Sequence, residues 1–117
     1  MTDLDLFKRG FLEALYFADT GEDGQPSADA LIANDDWRVM EKECEAFWNR
    51  YGDLILLEGE PAQAGNDFYF TRRGHGVGFW DGDWPRYGDT LTNACKAMGD
   101  IEIYEGDDGF IYIYLDK

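Results

Sequence analysis

Bases are scarce in this chain: ten lysines and arginines stand against 25 acidic residues, a formal net charge of −15 at pH 7. That balance disfavours direct binding to nucleic acid or to an anionic membrane, because both demand cationic contacts. Histidine is rarer still, with His75 alone. A metal site wants several His, Cys or carboxylate ligands at recognisable spacing, and Asp81-x-Asp83 lacks the remaining ligands of a calcium loop. No metal and no cofactor is therefore expected. Two cysteines, in an acidic chain that opens on Met1-Thr2-Asp3-Leu4-Asp5 rather than a targeting segment, point to a reducing cytoplasm. No apolar run approaches the roughly 20 residues that a membrane helix needs. Serine occurs once, as Ser27, and a capping role suffices for it.

What the chain does have is apolar and aromatic mass. Hydrophobic residues make up 44% and aromatics 16%, too much for disorder, so residues 1–117 are read as one domain with a modest core. The acids then belong to the surface. Duplex DNA carries one charge per about 1.7 Å of axis, so fifteen net charges match about 26 Å of duplex. A domain of this length spans on the order of 35 Å. Mimicry of DNA is therefore open, provided that the carboxylates gather on one face; a plain solubilising coat is the alternative.

Leu4, Phe7, Phe11, Leu15 and Ala18 recur at three and four residues, which predicts a first helix over Asp3 to Ala18. Thr20-Gly21-Glu22-Asp23-Gly24-Gln25-Pro26 breaks it. Ser27 is expected to cap a short helical segment through Ala33. Asn34-Asp35-Asp36 starts a second long helix that stops at Gly52. Trp37, Met40, Cys44, Phe47, Trp48 and Tyr51 share one face of it. Leu54 to Leu57 is apolar throughout, and periodicity does not assign it to helix or strand. Glu58 to Gly65 reads as a connection. Asp89 or Thr90 opens a third helix with Leu91, Ala94, Cys95 and Met98 inward and Gly99 at its end. Ile101 and Ile103, then Phe110, Tyr112 and Tyr114, predict two strands joined by Gly106-Asp107-Asp108-Gly109.

Between these lies the stretch from Asn66 to Asp81, with two aromatic runs around Arg73-Gly74-His75-Gly76. Phe68 and Phe70 alternate with Tyr69 and Thr71, while Val77, Phe79 and Trp80 follow the glycine-rich turn. This predicts a second β-hairpin with Arg72, His75, Trp80 and Asp81 about its turn. The expected fold is α+β: an antiparallel sheet of about four strands in two hairpins, three helices on one face, order ααββαββ.

The order D-F-x-x-T-R-x-G-H-G-x-G-F-W-D over Asp67 to Asp81 resembles the hallmark of a family of small acidic proteins of bacteriophages and mobile elements. The likeness runs from about Arg9 to Tyr112, through Gly10-Phe11-Leu12-Glu13-Ala14-Leu15-Tyr16, Cys44-Glu45-Ala46-Phe47, Gly88 to Asp100 and Tyr104 to Gly109. Asn66, Tyr69 and Arg73 stand where that pattern has His, Trp and Asn. The resemblance implies a phage accessory protein working in the host cytoplasm, and it brings no catalytic residue with it.

Chemistry at His75 would need an orienting acid and a substrate pocket. Asp81, Asp83 and Cys95 are the candidates, and an enzyme or metal-dependent domain on this Gly-His-Gly turn is one alternative. RNA binding through Arg73-Gly74-His75-Gly76-Val77-Gly78-Phe79 is disfavoured, since the aromatic that opens the comparable RNA-binding motif is replaced by His75 and −15 repels RNA. The carboxylates remain. Asp35, Asp36, Glu41 and Glu45 lie on the second helix and its start, while Glu102, Glu105, Asp107 and Asp108 crowd the C-terminal hairpin. With Trp84 as an aromatic anchor, these are the expected contacts for a basic host protein that itself binds nucleic acid. The expectation is a non-enzymatic inhibitor of a restriction or CRISPR type of host machine. An oligomer joined through an exposed strand edge is the other alternative, and the oligomeric state is left open.

Overall fold

The computed structural model describes residues 1–116. Four helices and one two-stranded antiparallel sheet follow one another as α1 (Asp3–Asp19), α2 (Asn34–Glu58), α3 (Pro61–Arg73), α4 (Gly88–Met98), β1 (Asp100–Glu105) and β2 (Ile111–Asp116). The class is α+β, but the order is ααααββ rather than ααββαββ. The expected four-stranded sheet is replaced by a single hairpin. No helix among the described residues is long and apolar enough to cross a membrane.

The first hairpin fails because its first half is α3. Pro61, Ala64, Gly65, Phe68, Tyr69 and Arg72 are buried, and they recur at the three- and four-residue steps of a helical face. Pro61 stands at the helix start, where its missing N–H is harmless. Phe68 and Phe70 mimic a strand only when Pro61 to Gly65, the first turn of α3, are assigned to a connection. Gly74 ends the helix in the left-handed region at φ 75°, with its N–H bonded to Phe70 and Thr71 carbonyls. Gly76 to Trp80 then forms no strand. It is a loop pinned by Phe79, fully buried, whose N–H donates to Thr71 Oγ1 at 3.1 Å.

α1 and α3 form the centre of the molecule, and two glycines let them touch. A Cβ on Gly65 would stand 2.0 Å from the Phe7 carbonyl oxygen, and one on Gly10 would stand 2.1 Å from that of Ala62. Around this crossing the aromatics close the core: Phe47 and Phe68 ring centres are 4.5 Å apart, Phe7 and Phe68 5.3 Å, Phe47 and Phe79 5.8 Å. Thr2 and Asp5 form a reciprocal capping box at the start of α1.

α2 runs nearly two turns past its expected stop, to Glu58. Gly52 sits inside the helix beneath the Trp48 indole, and Gly59 ends it instead. Leu54 to Leu57 is therefore helical. The expected helical turn from Ser27 to Ala33 is also absent. That segment runs beside the hairpin, with Ile111 N–H donating to Leu31 and Ile111 carbonyl accepting from Ala33 at 2.8 and 2.9 Å. The C-terminal hairpin is as expected, turning at Gly106 to Gly109. Its register opposes Ile101 to Leu115, Glu102 to Tyr114, Ile103 to Ile113 and Tyr104 to Tyr112.

Candidate functional site

The register fixes what each sheet face carries, because directly opposed residues share a face. Ile101, Ile103, Ile111, Ile113 and Leu115 turn to the core. Glu102, Tyr104, Tyr112 and Tyr114 share the outer face, where Tyr104 stacks on Tyr112 at 5.5 Å and meets Tyr114 at 6.1 Å. Tyr104 and Tyr114 are each half-exposed. The Tyr112 hydroxyl donates to Asp108, which holds that carboxyl below its usual range and pushes the phenol up.

Two long stretches of the chain contain no base: Gly10 to Trp37, with seven acids, and Ala97 to Asp116, with six. The fold fastens them together. Ser27 N–H donates to Glu105 at 2.8 Å, Ile113 N–H donates to Asp36 at 2.7 Å, and Leu31 and Ala33 bracket Ile111. At the hairpin tip, Asp107 and Asp108 are exposed, and Asp29 and Asp35 are exposed on the adjoining segment. Of the three lysines and arginines found in ion pairs among the described residues, Arg73 alone meets acids of these stretches, Asp19 and Glu102. Lys8 pairs with Glu41 and Glu45 at 3.3 and 3.0 Å, and Arg72 pairs with Glu43 at 3.0 Å.

The expected contact residues therefore divide. Asp35, Asp36, Glu105, Asp107 and Asp108 belong to the joined acidic region. Glu41 and Glu45 are on another side, partly neutralised by Lys8. Glu102 lies on the outer sheet face but shares Arg73 at 2.9 Å. Trp84 is 3% exposed and donates its indole N–H to Asp67 at 2.7 Å. It is a core residue, and it offers no anchor to a partner.

Arg72, expected at a surface turn, is instead fully buried inside α3. Its guanidinium donates to the Gly99 carbonyl at 2.5 Å, to Glu43 at 3.0 Å and to the Met98 carbonyl at 3.4 Å. It thus satisfies the carbonyls that the end of α4 leaves free. Trp80 is 52% exposed. Asp81 accepts from Gly78 N–H at 3.3 Å and does not reach His75.

The acid that orients His75 is Asp19, 56 residues earlier and only 5% exposed. Its Oδ2 takes His75 Nε2 at 3.0 Å, Arg73 Nε at 3.1 Å and the Tyr69 hydroxyl at 2.5 Å. Burial alone would raise the Asp19 carboxyl, but these three bonds outweigh it and hold the group below its usual range. Burial and the Asp19 charge push the Tyr69 phenol up. Cys95, 1% exposed, has its thiol pushed up to about 12 by burial, and Cys44 likewise. Both are the wrong state for a nucleophile. Asp19 had no local signal in the sequence, since it ends the first helix beside a glycine-rich loop.

Beside His75 lies a cleft of about 570 Å³ between the end of α3, the Gly74 to Trp80 loop and α4, lined from α4 by Asp89, Thr92, Asn93 and Lys96 and from β1 by Asp100. Among the described residues no group of three or more His, Cys, Asp or Glu has metal-binding geometry. Comparison of the chain with protein-family models, curated proteins and solved structures finds no match to any of them.

Proposed function

We propose that this is a non-enzymatic acidic phage accessory protein that binds and inhibits a host nucleic-acid-handling or defence protein. The reading is of the anti-restriction or anti-CRISPR type. The joined acidic region, with the outward tyrosines of the hairpin beside it, occupies a cationic groove that otherwise holds DNA or RNA. One observation carries this: parts of the two base-free stretches, Ser27 to Asp36 and Glu105 to Ile113, are bound side by side though far apart in sequence. Without the buried Asp19, the two stretches hold twelve carboxylates, which equal the charge on about 20 Å of duplex, against a longest dimension of 43 Å. Asp19 and Glu102 share Arg73, which still leaves a large unpaired excess. Tyrosine supplies rigid, amphipathic contact area of the kind that dominates binding hot spots.

The test is competition, not capture alone. Host proteins retained on the immobilised chain at low salt are assayed for DNA or RNA binding with and without the free chain. The expected result is loss of nucleic-acid binding at low salt, abolished by Asp107→Lys with Asp108→Lys, and release of the retained proteins from the immobilised chain as salt rises and the Debye length shrinks to about 3 Å near 1 M. Retained proteins that bind no nucleic acid, or that bind it equally well with the chain in excess, overturn the proposal.

A further inference from the structure

The cleft beside His75 differs from an ordinary surface dip in two respects. Its ionic groups of opposite sign do not neutralise each other: Lys96 and Asp100 both line it, and among the described residues neither takes part in an ion pair. Thr92, on the same wall, is only 8% exposed, and its hydroxyl is buried without a hydrogen-bond partner. A threonine inside a helix ordinarily returns that bond to a carbonyl one turn back. Here the hydroxyl is left for something else. The opposite wall holds Trp80, whose indole is half-exposed, and His75, whose Nε2 is fixed on Asp19. The volume, about 570 Å³, is that of a site for a small molecule.

The charges select among ligand classes. A simple anion would find Lys96 but also Asp100, Asp89 and the field of a chain at −15. A simple cation would suit the two aspartates and be opposed by Lys96. An uncharged ligand would draw on neither charge. An amphoteric molecule answers both at once, and a flat ring on it would stack on Trp80.

We propose that this cleft binds a small zwitterion bearing a planar ring, in chemical class an aromatic α-amino acid. Its ammonium sits on Asp100, its carboxylate on Lys96 and its ring against Trp80, with Thr92 and Asn93 beneath as hydrogen-bonding groups. The site shares Asp100, at the start of β1, with the hairpin but none of the tip acids Asp107 and Asp108, and it goes beyond the inhibitory reading.

The full chain, labelled with nitrogen-15, is titrated at pH 7 with L-phenylalanine, with phenethylamine and with 3-phenylpropanoate, following amide shifts. L-phenylalanine is expected to shift the Trp80 loop and α4 saturably, with Kd below about 10 mM, and each single-charge analogue to bind at least about tenfold more weakly. Lys96→Met and Asp100→Asn, both at exposed positions, are expected to remove saturation while leaving the rest of the spectrum in place. No saturable shift with L-phenylalanine overturns the proposal. So does an analogue of one charge binding as tightly as the zwitterion, or an unchanged titration in Lys96→Met. The Asp107→Lys, Asp108→Lys variant keeps this binding while losing competition for the nucleic-acid groove, so the two readings fail separately.

Discussion

The indole N–H of Trp84 donates to a carboxylate oxygen of Asp67 at 2.7 Å, and both residues are more than nine-tenths buried. Burial pushes the Asp67 carboxyl up to about 6, the Trp84 bond opposes this, and Asp81 and Asp83 add to the rise. The folded protein thus binds this proton more tightly than the unfolded chain, whose carboxyl titrates near 4. Stability falls as pH rises from about 4 through 6, by up to about 3 kcal/mol for this one group. Asn at this position keeps an acceptor for Trp84 and never ionises. Asp67→Asn is therefore expected to match the parent near pH 3.5 and to exceed it at pH 7, read by urea unfolding at both values. A parent that is equally or more stable at pH 7 contradicts this.

Asp19 works with the opposite sign. Its carboxyl is held below the usual range by Tyr69, His75 and Arg73 against the pull of burial, so its contribution is present above pH 4 and is lost on acidification through the folded value. Asp19→Asn is expected to lower the midpoint of unfolding at pH 7, with a smaller deficit at pH 3. A deficit independent of pH would assign the role of Asp19 to shape alone.

The crossing of α1 and α3 tolerates no side chain at Gly65, where a Cβ would lie 2.0 Å from the Phe7 carbonyl. Gly65→Ala is expected to cost about 3 kcal/mol, lowering Tm by roughly 10 °C. Gly76, which has nothing within 4 Å of such a Cβ, is the control. Gly76→Ala is expected to unfold with the parent in the same thermal scan.

Arg72 is a buried fork, and lysine does not reproduce it. Arg72→Met is expected to lose about 3 kcal/mol by freeing the end of α4 and leaving Glu43 unpaired. Arg72→Lys keeps the charge but not the planar donors, so it is expected nearer to Met than to the parent in urea midpoint.

Both thiols are buried and shifted to about 12. Cys44 and Cys95 are expected to stay unreactive toward a disulfide reagent at pH 8 in the folded protein, and both to react at once in denaturant. Fast labelling of either one without denaturant would reopen Cys95 as a partner for His75.

The sequence was legible where one local period held without interruption. α1 followed from Leu4, Phe7, Phe11 and Leu15, and the C-terminal hairpin followed from Ile101, Ile103 and the Gly106 to Gly109 turn, with Tyr112 and Tyr114 beyond it. It misled where two periods overlapped. Phe68 and Phe70 alternate like a strand, yet the six-residue stripe from Pro61 to Arg72 is helical, and burial against α1 decides between them. Gly52 misleads as well: it reads as a stop, yet it is buried within α2, where its missing side chain leaves room for the Trp48 ring.

Composition alone determined that this chain is strongly acidic, rich enough in aromatics to fold, and poor in histidine and cysteine. Those are sums over residues and do not depend on arrangement. Where the charge gathers, which acid meets His75 and whether Trp84 faces a partner or the core were decided only in three dimensions. Each depends on residues well separated in sequence being brought within about 3 Å, as Asp67 and Trp84 are across 17 positions and Asp19 and His75 across 56, and a hydrogen bond of that reach leaves no trace in local spacing.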